Sequence, residues 1–251
     1  MIDYSIIMRG AIVTARKDIK IYYKKAPVFI FGLILPTFLF FAFFVGRQLD
    51  IPRYFPGFLA MTIFFTASSV GPLIIPWEKQ SGTFERLLTL PVSIPTIILG
   101  DTIAGALFGM IISFIVLLVG TVLLSIYLPL ATIVALPILF ILGNICFAAL
   151  GVLLSAPAGR TPSNVMMLSA LIRFPLIFIS GIFVPLAALP EGARVISMFS
   201  PLTYLSDGLN ATMGQPSLIP ILIDVAVLIG FTVAFLLTAS VILKRKAMKG
   251  L

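Results

Sequence analysis

The chain has 251 residues, 60% of them hydrophobic and 10% charged, with a formal net charge of +8 and a mean hydropathy of +1.19. A soluble domain carries about 25% charged residues, so this composition excludes an ordinary soluble fold and points to a bilayer. The absence of His and the single Cys exclude Ser-His-Asp catalysis, His-containing metal sites and an internal disulfide.

The first 25 residues form a polar-basic leader. At 100° per residue, Met8, Ala11, Ile12, Ala15, Ile19 and Tyr22 share one face, and Arg9, Arg16, Lys17, Lys20 and Lys24 lie on the other, with Val13 among them. The pattern predicts an amphipathic helix lying in the membrane interface, apolar face toward acyl chains and cations toward anionic headgroups. The same residues also fit a topogenic flank without helical structure. The leader precedes a full-length apolar run, which is not the pattern of a cleavable signal peptide.

A hydrocarbon core about 30 Å thick takes roughly 20 apolar residues per helical crossing. Pro27 to Gly46 supplies one crossing and Tyr54 to Trp77 a second. Thr102 to Gly159 is long enough for a hairpin of two, reversing at Tyr127-Leu128-Pro129-Leu130. Met166 to about Val184 makes a fifth, interrupted by Arg173, and Val225 to Leu243 a sixth that ends on Lys244-Arg245-Lys246. The expected fold is therefore an all-α integral membrane protein with six transmembrane helices, residues 1–251 forming a single transmembrane domain. The runs lack the alternation of a membrane β-barrel. With six spans both termini share a side. All basic residues except Arg47, Arg53, Arg173 and Arg194 fall on that side, which makes it cytoplasmic. The positive charge thus reads as topology in the cell membrane, with no separate basic domain to present to nucleic acid.

Between the second and third spans, residues 77–95 read WEKQSGTFERLLTLPVSIP. Pro91 and Pro95 fence the segment. A short helix is expected inside it, with Ser81 or Thr83 as cap, Gly82 permitting a turn, and Phe84, Leu87 and Leu88 at i, i+3 and i+4. Glu85 and Arg86 stand on the opposite face. Left in water, each apolar side chain of the stripe forgoes about 1.5–3 kcal/mol. Either the chain's own helix ends cover it or a cytoplasmic partner does.

Residues 185–217 are broken by Pro190, Gly192, Pro201, Gly208 and Gly214 and carry Glu191, Arg194 and Asp207. They are too interrupted to cross and too apolar for an ordinary loop, and fit either backbone at membrane depth packed by protein or a hairpin on the outer interface. Asp101 and Asp224 fall at span boundaries, where capping a helix start suits them better than proton relay. Gly100, Ala104, Gly105 and Gly109 suit close helix packing. Arg173 is the one ionisable side chain deep in a span, a candidate for the substrate pathway or a structural cation that snorkels or bonds nearby carbonyls.

The order of a basic amphipathic leader, six spans, and a cytoplasmic segment carrying Glu78, Ser81, Gly82, Thr83, Glu85, Leu87, Pro91, Val92 and Ser93 resembles the membrane subunit of a type-two ABC exporter. So does the later pattern Ser180-Gly181-Ile182-Phe183-Val184-Pro185, Leu189-Pro190, Ser200-Pro201-Leu202-Thr203-Tyr204 and Asp207-Gly208. The resemblance implies that residues 77–95 hold a coupling helix, with Glu78, Ser81, Gly82, Thr83, Phe84, Glu85, Leu87 and Leu88 docking an ATPase. It implies that 185–217 form short helices re-entering the outer leaflet. The expected partners are two cytoplasmic ABC ATPase subunits and a second permease copy within the lipid bilayer. No cofactor is expected on this chain. It has no G-x-x-x-x-G-K-[ST] phosphate loop, since no lysine follows a glycine, so ATP and Mg belong to the partner. The rival class is a membrane scaffold or channel component that needs no ATPase.

Overall fold

The computed structural model describes residues 4–44, 51–89, 92–123, 134–157, 159, 161–184 and 186–249. Among the described residues all regular structure is helical. Helix α1 (Tyr4–Tyr22) leads into an apolar stretch made of α2 (Ala26–Phe29), a π-helical turn (Ile30–Ile34) and α3 (Leu35–Phe44). Then come α4 (Ile51–Gln80), α5 (Thr83–Leu88), α6 (Ile94–Leu123), α7 (Ala135–Ser155) and α8 (Pro162–Ile179). A 3₁₀ turn (Leu186–Ala188), α9 (Glu191–Ser197), α10 (Pro201–Thr212) and α11 (Ile221–Lys249) complete the chain.

Among the described residues five helices are long and apolar enough to cross a membrane: α4, α6, α7, α8 and α11. The first expected span does not reach that standard as one helix; Ala26–Leu39 is a shorter apolar helix by the same measure. The π-helical turn interrupts its α-helical register, a change of local geometry that hydropathy does not signal. The expected reversal at Tyr127–Leu130 lies outside the described residues, as do Arg47, Pro91, Arg160 and Pro185. The fifth span ends at Ile179 rather than Val184, because the Gly181 backbone turns into the left-handed region (φ +77°).

Helix α4 forms the axis, with 94% of its apolar window buried, against 17% for α11 and 22% for α8. It packs against α6, α7, α8 and α10. A Cβ on Gly105 would stand 2.9 Å from Ala67 O, and one on Gly109 2.7 Å from Ala67 Cβ, so these glycines permit the close α4–α6 approach their spacing suggests. The core runs along Phe55, Leu59, Phe64, Phe147, Leu202 and Leu205. Successive long helices alternate in direction, which puts α1, α5 and the end of α11 at one end of the bundle and α9 and α10 at the other.

At about 1.5 Å per residue, the 30 residues of α4 and of α6 each reach about 45 Å, beyond a hydrocarbon core of about 30 Å. The surplus corrects two sequence expectations. Glu78 belongs to the last turn of α4, not to a loop, and Asp101 lies two turns inside α6, not at its start. Pro95 sits in the first turn of α6, where a missing N–H costs nothing.

Helix α1 exists as expected, but its apolar face divides. Ala11, Thr14, Ala15 and Asp18 are buried where α1 packs on the start of α6, and Tyr22 stacks on Trp77 of α4, while Met8 and Ile12 stay exposed, as does Val13 on the basic face. Gly100 permits that contact, since a Cβ there would meet Ala11 O at 2.8 Å.

The broken segment after α8 resolves into α9 and α10. Ser200 caps α10, its side chain accepting from Leu202 N. Thr203 Oγ1 donates to Ser197 O (2.6 Å) and Tyr204 Oη to Met198 O (2.9 Å). These bonds satisfy the carbonyls at the end of α9, as irregular backbone in an apolar setting requires.

Candidate docking helix and the buried charges beside it

Helix α4 ends in a turn built by its sequence. Ser81 Oγ donates to Trp77 O (2.8 Å), Thr83 Oγ1 donates to Glu78 O (3.2 Å), and the two hydroxyls lie 2.9 Å apart. Neither caps α5; both close the carbonyl end of α4 instead, and Gly82 occupies the cap position of α5 without a side-chain bond. Its φ of +69° needs glycine, as the sequence suggested.

Within the six residues of α5 the expected stripe turns inward at Phe84. Phe84 is buried in one apolar cluster with Ile75 of α4, Ile98 of α6, Val152 of α7, Ala156 just past α7, and Ala239 and Leu243 of α11. Lys79 Nζ lies 5.3 Å from its ring centroid. Leu87 is half-buried, while Thr83, Glu85 and Arg86 are exposed. The chain's own helix ends thus cover Phe84, and the outward surface of α5 is polar. The side chain of Leu88 lies outside the described set. The Lys246 ammonium donates to Pro157 O, tying the end of α11 to the end of α7.

One turn before α5, Glu78 faces away from it into a buried ionic group. The Lys17 ammonium of α1 donates to Glu78 Oε1 and lies 3.1 Å from Asp18 Oδ1. Asp18, Glu78 and Asp101 are all essentially buried. The Asp18 and Asp101 carboxyls adjoin each other, yet their four oxygens and Glu78 Oε2 have no hydrogen-bond partner among the described residues. Burial pushes the Asp18 carboxyl above the usual range, with Lys17 opposing. For Lys17, burial depresses the ammonium, but Asp18 and Glu78 outweigh it and leave it above its ordinary value. One proton shared between the Asp18 and Asp101 carboxyls supplies the bond that two carboxylates cannot make. Sequence reasoning placed Lys17 among headgroup cations and passed over Asp18. An acid on the Ala11, Ala15 and Tyr22 face was the available signal.

Arg173 sits wholly buried between α8 and α4. Its Nε donates to Ser169 O (3.2 Å) and its Nη1 to Ser68 Oγ (3.3 Å), and its guanidinium carbon lies 5.9 Å from the Phe65 ring centroid. Nη2 has no partner, and no carboxylate pairs with it among the described residues. No group of three His, Cys, Asp or Glu side chains among the described residues is placed to hold a metal ion.

Long apolar helices around a central α4, with a short polar-faced helix at the end where the first and last helices meet, define a multi-pass helical membrane protein. The ABC-2 type transporter profile matches residues 6–213, and the chain belongs to that family of membrane permease subunits of ABC transporters. The chain is 28% identical over 201 residues to the daunorubicin resistance ABC transporter permease protein DrrB1 of Streptomyces coeruleorubidus, covering 72% of this chain and 67% of that protein. It is 24% identical over 190 residues to the inner membrane transport permease YadH of Escherichia coli (76% and 73%). With nodulation protein J of Rhizobium leguminosarum it shares 31% over 121 residues (48% and 46%).

Proposed function

We propose that this chain is one half of an ATP-driven exporter in the cell membrane, moving an amphipathic, drug-like or lipid-like substrate outward. In this reading Ala26–Phe44 completes six spans, both termini are cytoplasmic, α1 lies along the inner interface, and α9 and α10 dip into the outer leaflet. Two copies enclose the pathway, and each α5 receives one ATPase, on which ATP and Mg reside. The observation that carries the reading is the anchoring of α5. Phe84 roots it among the ends of α4, α6, α7 and α11, while Thr83, Glu85 and Arg86 face out. Force on that polar surface reaches four long helices at once, and through Glu78 and Lys17 it reaches α1. Exposed apolar side chains on α8, such as Met167, Leu171 and Phe178, suit lipid or a second copy. The drug-resistance name of DrrB1 fits an amphipathic cargo.

The test is co-purification with the ABC ATPases encoded beside this chain. Reversing the outward charges (Glu85→Arg with Arg86→Glu) is expected to slow ATPase association and lower its recovery at physiological salt while the permease stays folded, because rim charges steer and register a partner. Undiminished recovery of the ATPase by that variant would sink the assignment of α5. Phe84→Ala should instead lose about 3–5 kcal/mol of stability, since its ring is core, and should weaken docking only as a consequence.

Topology has a separate check. In a Cys146→Ala background, Cys at the exposed Gly192 should react with an impermeant thiol reagent in intact cells, and Cys at the exposed Ser81 should not. Labelling at Ser81 would overturn the orientation.

A further inference from the structure

At the end of the bundle away from α5, a cavity of about 390 Å³ lies between the start of α4, the turn after α8, and α10 with the loop that follows it. That size falls within the roughly 300–1,000 Å³ of small-ligand pockets. Its apolar side is the Gly57–Ile182 contact. Its polar side brings together Arg53, Ser206, Asn210 and Gln215. Ser206 is buried, and its hydroxyl has no hydrogen-bond partner among the described residues. Arg53 pairs with no carboxylate among them.

The wall is built rather than incidental. Asp207, next to Ser206 on α10, accepts the amides of Leu218 (3.1 Å) and Ile219 (2.9 Å), and Gln215 N donates to Asn210 O (2.9 Å). These bonds fix the loop that carries Gln215 over the cavity. They also hold the Asp207 carboxylate on backbone amides, at a smaller adjoining pocket that shares Ser206 and Asn210, so that among the described residues Arg53 is the charged side chain lining this cavity. A guanidinium, a hydroxyl and two carboxamides offer many more donors than acceptors. Their complement is an acceptor-rich anion, and a guanidinium fork matches a phosphate in two parallel bonds.

We infer that this cavity binds a phosphoryl headgroup, held by Arg53 at its mouth and by Ser206, Asn210 and Gln215 within. Two sources carry that chemistry, an anionic phospholipid and a soluble phosphate ester. The exposed apolar residues Val195, Ile196 and Phe199, at the same end of the bundle, offer a surface for acyl chains. The site is remote from α5, so its test needs no ATPase and does not depend on the transport reading.

The test is thermal unfolding of the full-length protein in neutral detergent, titrated with dihexanoyl phosphatidylglycerol, glycerol 1-phosphate or dihexanoyl phosphatidylcholine. Phosphatidylglycerol is expected to stabilise saturably. Arg53→Gln should weaken its apparent affinity about tenfold, which is 1.4 kcal/mol, and Asn210→Ala should weaken it severalfold. Arg9→Gln, exposed on α1 at the opposite end of the bundle, should leave it unchanged. Saturation by phosphatidylglycerol alone identifies a lipid, and equal saturation by glycerol 1-phosphate identifies a soluble ester. Equal effects of phosphatidylcholine and phosphatidylglycerol, no saturation by either anionic ligand, or an Arg53→Gln protein that matches wild type would each overturn the inference. Arg53 is exposed, so its variant tests binding without removing core packing.

Discussion

Lys17→Met is expected to cost about 3 kcal/mol of stability at neutral pH, near the lower end of what breaking a buried ion pair costs. Among the described residues Lys17 is the one cation in contact with Asp18 and Glu78, and its side chain is 28% exposed, so solvent softens the loss. The groups around it are Asp18 and Tyr22 on α1, Glu78 on α4 and Asp101 on α6. The pH dependence has a definite sign. Burial raises Asp18 in the folded protein, so folding takes up a proton and stability falls as pH rises from the ordinary carboxylate range through the raised value. Lys17 opposes that rise. Its removal raises Asp18 further and widens the window of loss toward higher pH. The deficit of Lys17→Met should therefore be greatest in alkali and shrink in acid, as the carboxylates protonate. Adding Asp18→Asn should recover part of the stability, since it removes negative charge that Lys17 no longer offsets. Thermal unfolding of the three proteins across pH measures this. A Lys17→Met deficit independent of pH would show that Lys17 contributes packing rather than charge.

Composition and apolar run lengths made the helical membrane class legible, because a hydrocarbon core imposes one length on every crossing. The long-range consequences were not. Helices α4 and α6 overrun the hydrocarbon core, and the overrun carries Glu78 and Asp101 to α1, which only the packed arrangement reveals. Phe84 illustrates a different limit. Its i, i+3, i+4 spacing with Leu87 and Leu88 defines a stripe, but spacing cannot say whether a stripe faces a partner or the chain's own core. Here the ends of α4, α6, α7 and α11 reach it first. Ser81 and Thr83 were read as helix caps from residue type, and their hydroxyls found the carbonyls of the preceding helix instead, an alternative open to any short hydroxyl side chain. Gly82 was legible because a left-handed turn at that point leaves glycine as the unstrained choice. The cavity by Arg53 and Ser206 joins residues more than 150 apart in sequence, so no local motif could announce it.

Arg173→Met should be more stable than wild type while exporting less. The guanidinium is fully buried, has two hydrogen bonds from five donors' worth of capacity, and meets no carboxylate. An arginine at the centre of a span costs about 2.5–3.5 kcal/mol on insertion scales. Ser68 Oγ already donates to Phe64 O at 2.5 Å, so losing Arg173 strands no buried hydroxyl proton. Replacing buried ionic groups with apolar ones of similar volume gains about 1–4 kcal/mol in other proteins, and the smaller Met volume offsets part of that. A cation retained at such a cost is expected to serve a state other than this one. Movement of α8 away from α4 would free Nη2 and Nη1 to meet an anionic group on the substrate. Arg173→Lys sharpens the comparison, since it keeps the charge and loses the planar fork. It should lower stability, because one ammonium cannot reach both Ser68 and Ser169, and it should also impair export. Thermal unfolding in detergent and ATP-dependent export in vesicles, measured on the same preparations, separate the two roles. A Met variant that is both more stable and fully active would leave Arg173 no part in the pathway, and α8 would then be placed by its apolar contacts alone.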